Sequence, residues 1–501
     1  MDQTSVDLVI EVGALLPLTG DDVVYDAVVA VDQGRIVYAG PRDGASAPFI
    51  GSEVIRDADG VVMPGFVDTH THVGAHFFGT LCDDENIITA LYDLWFPMER
   101  GYEPELTFAA CLLGFWDALR AGVTTVGNDE YFPEATAEAA TTIGARCLVG
   151  NRINEFALDA PPRYDRAERR FELAYVREKA ERSLSENVDF IQRWKGHHLV
   201  TPCLGPHAPD LLSTEMLEAC ANAADELDVK MLIHVAQSEA EVARVREKGH
   251  RGSIHYLSEI GFLSPRVQAA HMVWLDDEEI ELAAASGMGM SWTPTIMMAC
   301  QSYAKVDKLI ASGIKMGFGT DCFSMDVLEE LRYALYSANY VHSANGFRLK
   351  SFDLIRRATR GGAECLGLAD QVGTIEEGKK ADLVVLNMRD AQLLPNTNYF
   401  ENIAYRAKSR NVTHTIVDGR VVYANGELRL VDQDEIFDEA RRASRVWVGR
   451  SRGVLEQTGV IERIQDHFFG EDDDEPFRSA VRRRAFPKER ESEGDRVRRR
   501  R

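Results

Sequence analysis

Two histidines one residue apart, His70 and His72, close a short apolar run, Pro64-Gly65-Phe66-Val67-Asp68-Thr69. Alternate side chains on an extended strand share a face, so both imidazoles can reach one metal ion. A single His-x-His carries little weight; it gains meaning from donors that close later apolar runs. Those are Asp129 in Gly127-Asn128-Asp129-Glu130-Tyr131, Arg152, His207 in Gly205-Pro206-His207-Ala208-Pro209, His234 in Leu232-Ile233-His234, His271, and Asp321 in Gly319-Thr320-Asp321. Packing does not explain ionisable residues that end apolar strands again and again, because a buried polar group without a partner costs free energy.

Three neutral imidazoles and a carboxylate suit Zn²⁺ or Fe²⁺ and leave a position for water. Such a cation can lower the pKa of bound water from about 15.7 to roughly 7, giving hydroxide at neutral pH. Asp321 would then serve as ligand and proton acceptor, and His271 would hydrogen-bond and orient the hydroxide. Histidines 76, 197, 198, 250, 255, 342, 414 and 467 read as structural, with His76 the one nearest the predicted pocket.

The elements that must carry these residues repeat as strand, loop and helix from Gly65 to about residue 365. Strands are predicted at 65–70, 123–127, 145–150, 199–204, 229–235, 267–271, 287–291 and 314–319. Ser213 would cap a helix over 214–227, and Asp276-x-x-Glu279 has the form of a capping box opening 276–285. Eight such units predict an α/β fold, a (β/α)₈ TIM-type barrel whose site lies at the C-terminal strand ends. Strand-like runs on either side, within 1–62 and 366–430, predict a small β-sandwich domain built from both chain ends, around a barrel at 63–365. A helical extension (431–465) follows. The last segment (466–501) holds Glu471-Asp472-Asp473-Asp474-Glu475, Arg482-Arg483-Arg484 and Arg498–Arg501; like-charge blocks with few apolar residues predict a disordered tail.

Bulk properties narrow the function classes. The chain has 501 residues, 45% hydrophobic and 27% charged, with a formal net charge of −24. That charge disfavours nucleic acid and anionic membrane as partners. No run approaches the roughly 18 apolar residues of a membrane helix, and the acidic start, Met1-Asp2-Gln3, lacks a signal core. Eight scattered cysteines without Cys-x-x-Cys suit a reducing, cytoplasmic setting.

The His70-Thr71-His72 run, Gly205–Pro209, Ile233-His234, Gly319-Thr320-Asp321 and Gly373-Thr374-Ile375-Glu376-Glu377-Gly378-Lys379-Lys380-Ala381-Asp382-Leu383-Val384 together resemble the amidohydrolase superfamily. The likeness spans about residues 5–430. It is nearest the one-metal branch with S-adenosylhomocysteine/5′-methylthioadenosine deaminases and triazine hydrolases. The resemblance implies that His70, His72, His234 and Asp321 bind one divalent metal, that His271 faces its water, and that Glu99, Arg152 and His207 contact a small-molecule substrate. It also implies a homo-oligomer.

One position departs from the family pattern His-x-x-Glu-Thr, whose Glu protonates a ring nitrogen during deamination. Here the stretch is His234-Val235-Ala236-Gln237-Ser238. A carboxamide hydrogen-bonds but shuttles no proton, and general acids contribute about 10²–10⁴-fold. Gln237 therefore favours an amide, urea or lactam-like bond, whereas overall likeness favours a purine-type or other amino-heterocycle. Glu239 lies two residues on, where the chain is expected to turn. Trp274 and Trp292 could wall a planar ring or belong to the core, with Trp292, like Gln237, counted among the expected substrate contacts, and Cys322 and Ser324 are expected to line the pocket. A protein that has lost catalysis and kept a binding role is the reading from another class.

Overall fold

The computed structural model describes residues 4–157, 160–165, 170–464 and 477–486. Eight parallel strands form the barrel. In sheet order they are Val200–Pro202, Arg146–Ile153, Val123–Glu130, Phe66–Thr71, Lys315–Phe318, Gly289–Trp292, Val267–His271 and Met231–Val235. Leu204 bridges to Met231 and joins the two ends of that order. Each expected strand is present. Most are buried along their whole length, as parallel strands covered on both faces require.

Local signals set the helix starts. Ser213 accepts the Met216 N–H at the head of Thr214–Leu227. Asp276 and Glu279 exchange side-chain and backbone bonds of 2.8 and 2.9 Å at the head of Asp277–Ser286, a reciprocal cap that satisfies two otherwise orphaned N–H groups.

Both chain ends build the second, eight-stranded sheet. Its central strand, Phe49–Pro64, pairs parallel with Thr4–Leu15 and antiparallel with Leu383–Asn387. Leu8, Ile10, Val29 and Val31 from one end share a core with Leu383, Val385 and Ile416 from the other. This domain is tied to the barrel by a buried ion pair. Arg146, on the third barrel strand, donates to Asp382 through Nε (2.6 Å) and Nη2 (2.9 Å). Asp382 also accepts the Asp418 N–H at 2.8 Å, and its carbonyl accepts the Gly65 N–H at 3.0 Å, next to the first barrel strand.

Helices Gln433–Arg450 and Arg452–Thr458 pack on the barrel flank, with Trp116 edge-on to Phe437 at 4.7 Å. The expected disorder of 466–501 fails for 477–486. Phe477 and Val481 are buried. Ser479 caps Ala480–Ala485 and bonds the Glu439 carboxylate. Arg482, counted in sequence as part of a solvated run, pairs with Glu138 at 2.6 Å and Glu105 at 3.3 Å. A charge run becomes ordered when fixed opposite charges face it, which composition alone does not reveal. The rest of that expectation, at 466–476 and 487–501, falls outside the described residues.

Replacing Asp382 by Ala leaves the Arg146 guanidinium buried without its main partner. The expected loss is about 3–5 kcal/mol of stability, read as a lower denaturant midpoint, and Arg146→Met in the same chain should recover much of it.

Candidate metal centre

The first barrel strand ends on His70 and His72, the fifth on His234, the sixth on His271, and Asp321 follows the eighth. Gly319 permits the eighth strand's end to approach the first and seventh strands: a Cβ there would meet the His70 carbonyl oxygen at 2.7 Å and the Ser291 hydroxyl at 2.6 Å. Asp321 bridges to Thr71, whose hydroxyl donates to the Asp321 carbonyl at 2.9 Å. His271 and Asp321 hold φ of 75° and 60°, left-handed values rare for residues with a side chain. The neighbouring strands over-determine both conformations.

The side chains converge. His70 Nε2 lies 3.5 Å and His271 Nε2 3.6 Å from Asp321 Oδ2. His72 Nε2 and His234 Nε2 are 3.3 Å apart. Three overlapping sets, His70/His72/Asp321, His70/His234/His271 and His72/Asp129/His234, each bring one donor atom per residue within 4.8 Å of the others. All are buried.

Hydrogen bonds orient the rings. His234 Nδ1–H donates to the His207 carbonyl at 2.9 Å, which leaves the Nε2 lone pair facing the cluster. His271 Nδ1 meets Thr293 Oγ1 at 2.8 Å. His72 Nδ1 stands 2.9 Å from Arg152 Nη2 and 3.3 Å from the Asp129 carbonyl. His70 Nε2 is buried with no hydrogen-bond partner. An orphaned ring nitrogen amid other unprotonated donors fits a divalent cation of nitrogen and oxygen preference.

Burial keeps three of the four imidazoles neutral. Burial, then the Arg152 charge, holds His72 well below the ordinary imidazole value. Burial, then the positive character of His70, does the same for His234. Burial pushes His271 down to about 3. Burial opposes ionisation of Asp321, but contact with His70 holds it well below the carboxylate range. His70 alone is raised: burial opposes protonation, and the contact and charge of Asp321 prevail.

A cavity opens over this cluster. Its lining includes His72, Arg152, His207, His234, Gln237, His271, Asp321 and Cys322. Glu99 is absent from the lining. It is buried behind Arg152, pairs with it, and accepts the Trp95 Nε1–H at 2.9 Å. Trp292 corrects the sequence reading. It packs in the core against Phe318 at 5.3 Å and does not line the cavity, since a large ring gains most from full desolvation. Trp274 is 39% exposed and also lies off the cavity. Ser324 turns away toward Asp117, which also holds His76 at 3.3 Å. Glu239 is exposed on the helix that follows Gln237.

Sequence reasoning passed over Asp68 and Thr293. Asp68 accepts the Thr320 hydroxyl at 2.6 Å and the His70 N–H at 3.1 Å, so it locks the first and eighth strands together beneath the ligands. Burial raises its carboxyl to about 7. Its position two residues before His70, on the same strand face, was the available signal. Glu241 was also missed. Its carboxylate accepts the N–H groups of Ala236 (2.6 Å) and Gln237 (2.8 Å), which fixes where Gln237 enters the cavity.

The profile described as the amidohydrolase family matches residues 61–422. A 5-methylthioadenosine/S-adenosylhomocysteine deaminase of Symbiobacterium thermophilum is 34% identical over 449 residues, covering 87% of this chain and 98% of that protein. A 5′-deoxyadenosine deaminase of Methanobrevibacter smithii is 33% identical, covering 78% and 87%. Among solved structures, an adenosine deaminase of Xanthomonas campestris with bound zinc superposes with a TM-score of 0.82 at 26% identity, over 90% of this chain and 100% of that one. A triazine hydrolase variant, at 22% identity, shares the fold with a TM-score of 0.77 over 87% and 99%.

Purified protein should carry about one equivalent of zinc or iron by elemental analysis. His234→Ala and His70→Ala should each lower metal affinity by more than the roughly 10–100-fold expected for outer-shell partners; retention of a full equivalent by both variants would refute the ligand set.

Proposed function

The chain belongs to the amidohydrolase family and is a metal-dependent hydrolase of non-peptide C–N bonds; from that premise we propose that its substrate is a neutral small molecule cleaved at an amide, urea or lactam-like carbonyl. The observation that carries this reading is Gln237 in the cavity lining, with the nearby Glu241 committed to backbone N–H groups. Besides Asp321, the carboxylates among the described lining residues are Asp83 and Glu85, the first exposed and the second half-buried. None replaces the missing proton donor beside the reacting group.

His70, His72, His234 and Asp321 would hold one Zn²⁺ or Fe²⁺, which supplies a Lewis acid able to activate water near neutral pH. His271, kept neutral and fixed through Thr293, orients the attacking water with Nε2. Asp321 accepts the water's proton and returns it to the departing nitrogen, so one carboxylate serves as base and then acid. A carbonyl substrate needs no other proton during attack. Gln237 donates a hydrogen bond to a substrate heteroatom, and Arg152, anchored by Asp129 (3.2 Å) and Glu99, holds the cavity floor. His207, kept neutral by burial and then by the Arg152 charge, offers its ring to the substrate edge.

Deamination of an adenosine-type ring is the second reading, favoured by the activities named for the relatives at 33–34% identity. A homo-oligomer in the cytoplasm completes the proposal; among the described residues no helix is long and apolar enough to cross a membrane.

A screen of 5′-deoxyadenosine, triazines, aryl ureas and cyclic amides, following ammonia or amine release, separates the two readings. Aryl ureas or amides should turn over fastest, and Gln237→Glu should not raise that turnover. A gain approaching the ~10²–10⁴-fold worth of a general acid, or preference for the aminopurine, would overturn the carbonyl reading in favour of deamination.

A further inference from the structure

The outer wall of the cavity is one stretch of chain, Phe78 to Phe96, which supplies Phe78, Leu91, Trp95 and Phe96 to the lining. Its backbone is a four-residue helix (Gly79–Cys82), a π-helical turn (Thr89–Trp95) and another four-residue helix (Phe96–Glu99). Pieces this short hold little shape by themselves. What packs behind them decides where the wall stands.

Behind them lies the C-terminal extension, beyond residue 422, where the family match ends. Trp447 is fully buried, edge-on to Phe78 with ring centres 4.5 Å apart and 5.6 Å from Tyr102. Phe78 stacks on Trp95 at 3.9 Å and 10°. Trp95 donates to Glu99, Glu99 pairs with Arg152, and Arg152 Nη2 reaches His72. An unbroken set of contacts therefore runs from the extension to the metal centre. Arg463 clasps the same wall farther out, with Nη2 at 2.8 Å from Glu85 Oε1 and 3.5 Å from the Leu81 carbonyl.

The wall so fixed has a definite chemistry. Phe78, Leu91, Trp95 and Phe96 share the lining with Ile296 and Met297, and the same stretch adds the carboxylates of Asp83, exposed, and Glu85, held by Arg463. Arg152 is the one Lys or Arg among the described lining residues, and its donors go to Glu99, Asp129 and His72. An anionic substituent held against that wall, away from the metal ligands, would be desolvated without a partner.

We propose that Trp447 and Arg463 are positioning residues that set the 78–96 wall, and that this wall selects substrates whose non-reacting part is flat, apolar and not anionic. This rests on the reading that the cavity binds the substrate. The test uses full-length, zinc-loaded protein and two unreactive probes, indole and indole-5-sulfonate, with binding followed by calorimetry. Indole should bind, and the sulfonate should bind at least about 30-fold more weakly, because its charge loses hydration without compensation. Trp447→Ala should weaken indole about 10-fold at unchanged zinc content, with Trp447→Phe recovering most of it, as expected when a cavity opens behind a packed wall. Arg463→Ala, at a half-exposed residue, should weaken indole about 3-fold, with Arg463→Lys in between, in line with a partly exposed ion pair; it carries the test if Trp447→Ala does not fold. Against a hydrolysed substrate, both variants should raise KM and leave kcat nearly unchanged. Equal binding of both probes, or indole affinity indifferent to both positions, would overturn the proposal. Indole binding as described without any C–N hydrolysis would instead remove the carbonyl reading and leave the wall assignment standing.

Discussion

Several titratable side chains share one buried point at the mouth of the barrel, and taking them out of water is the constraint to which the surrounding structure answers. Imidazoles tolerate burial by staying neutral, and His72, His234 and His271 are pushed that way. A carboxylate does not, so Asp321 keeps its charge only against His70. One layer out, Arg152 is balanced by Glu99 and Asp129. The left-handed backbone at His271 and Asp321 adds strain of about 1–3 kcal/mol each. A closed parallel barrel, with its interlocked strand registers, can absorb such costs where an isolated loop could not.

Much of this was legible in the sequence because strand alternation and strand endings are local properties. His70 and His72 announce a shared face, and His234, His271 and Asp321 each close an apolar run, so the barrel and its donors follow from counting. What escaped depends on through-space partners. Asp68 looks like an ordinary polar residue until Thr320, some 250 positions later, closes on it. Trp292 ends a strand as the converging donors do, and only packing against Phe318 shows that it faces the core. Arg482 belongs to a run that composition assigns to solvent, yet Glu105 and Glu138 wait for it.

The two proposals place determinants of selectivity in different parts of the chain. Gln237, within the stretch matched to the family, would bear on which protons can move. Trp447 and Arg463, beyond that stretch, would bear on what shape and charge can enter. The first rests on one functional group, presented by a backbone that Glu241 pins. The second leaves the reacting centre alone and acts on the wall. A shared barrel can therefore diverge in chemistry and in substrate range independently.

The sheet made from both chain ends has a consequence for the order of events during synthesis. Phe49–Pro64 can pair with Thr4–Leu15 as soon as both have left the ribosome, but its other edge must wait for Leu383–Asn387. At roughly 5–20 residues per second that wait lasts tens of seconds. Through it the nascent chain exposes an unpaired strand ending in Val61-Val62-Met63, the kind of edge on which other chains can nucleate. The interval between emergence of the first sheet half and arrival of the second is thus the period in which this protein most needs a chaperone, and slow translation of the barrel would lengthen it.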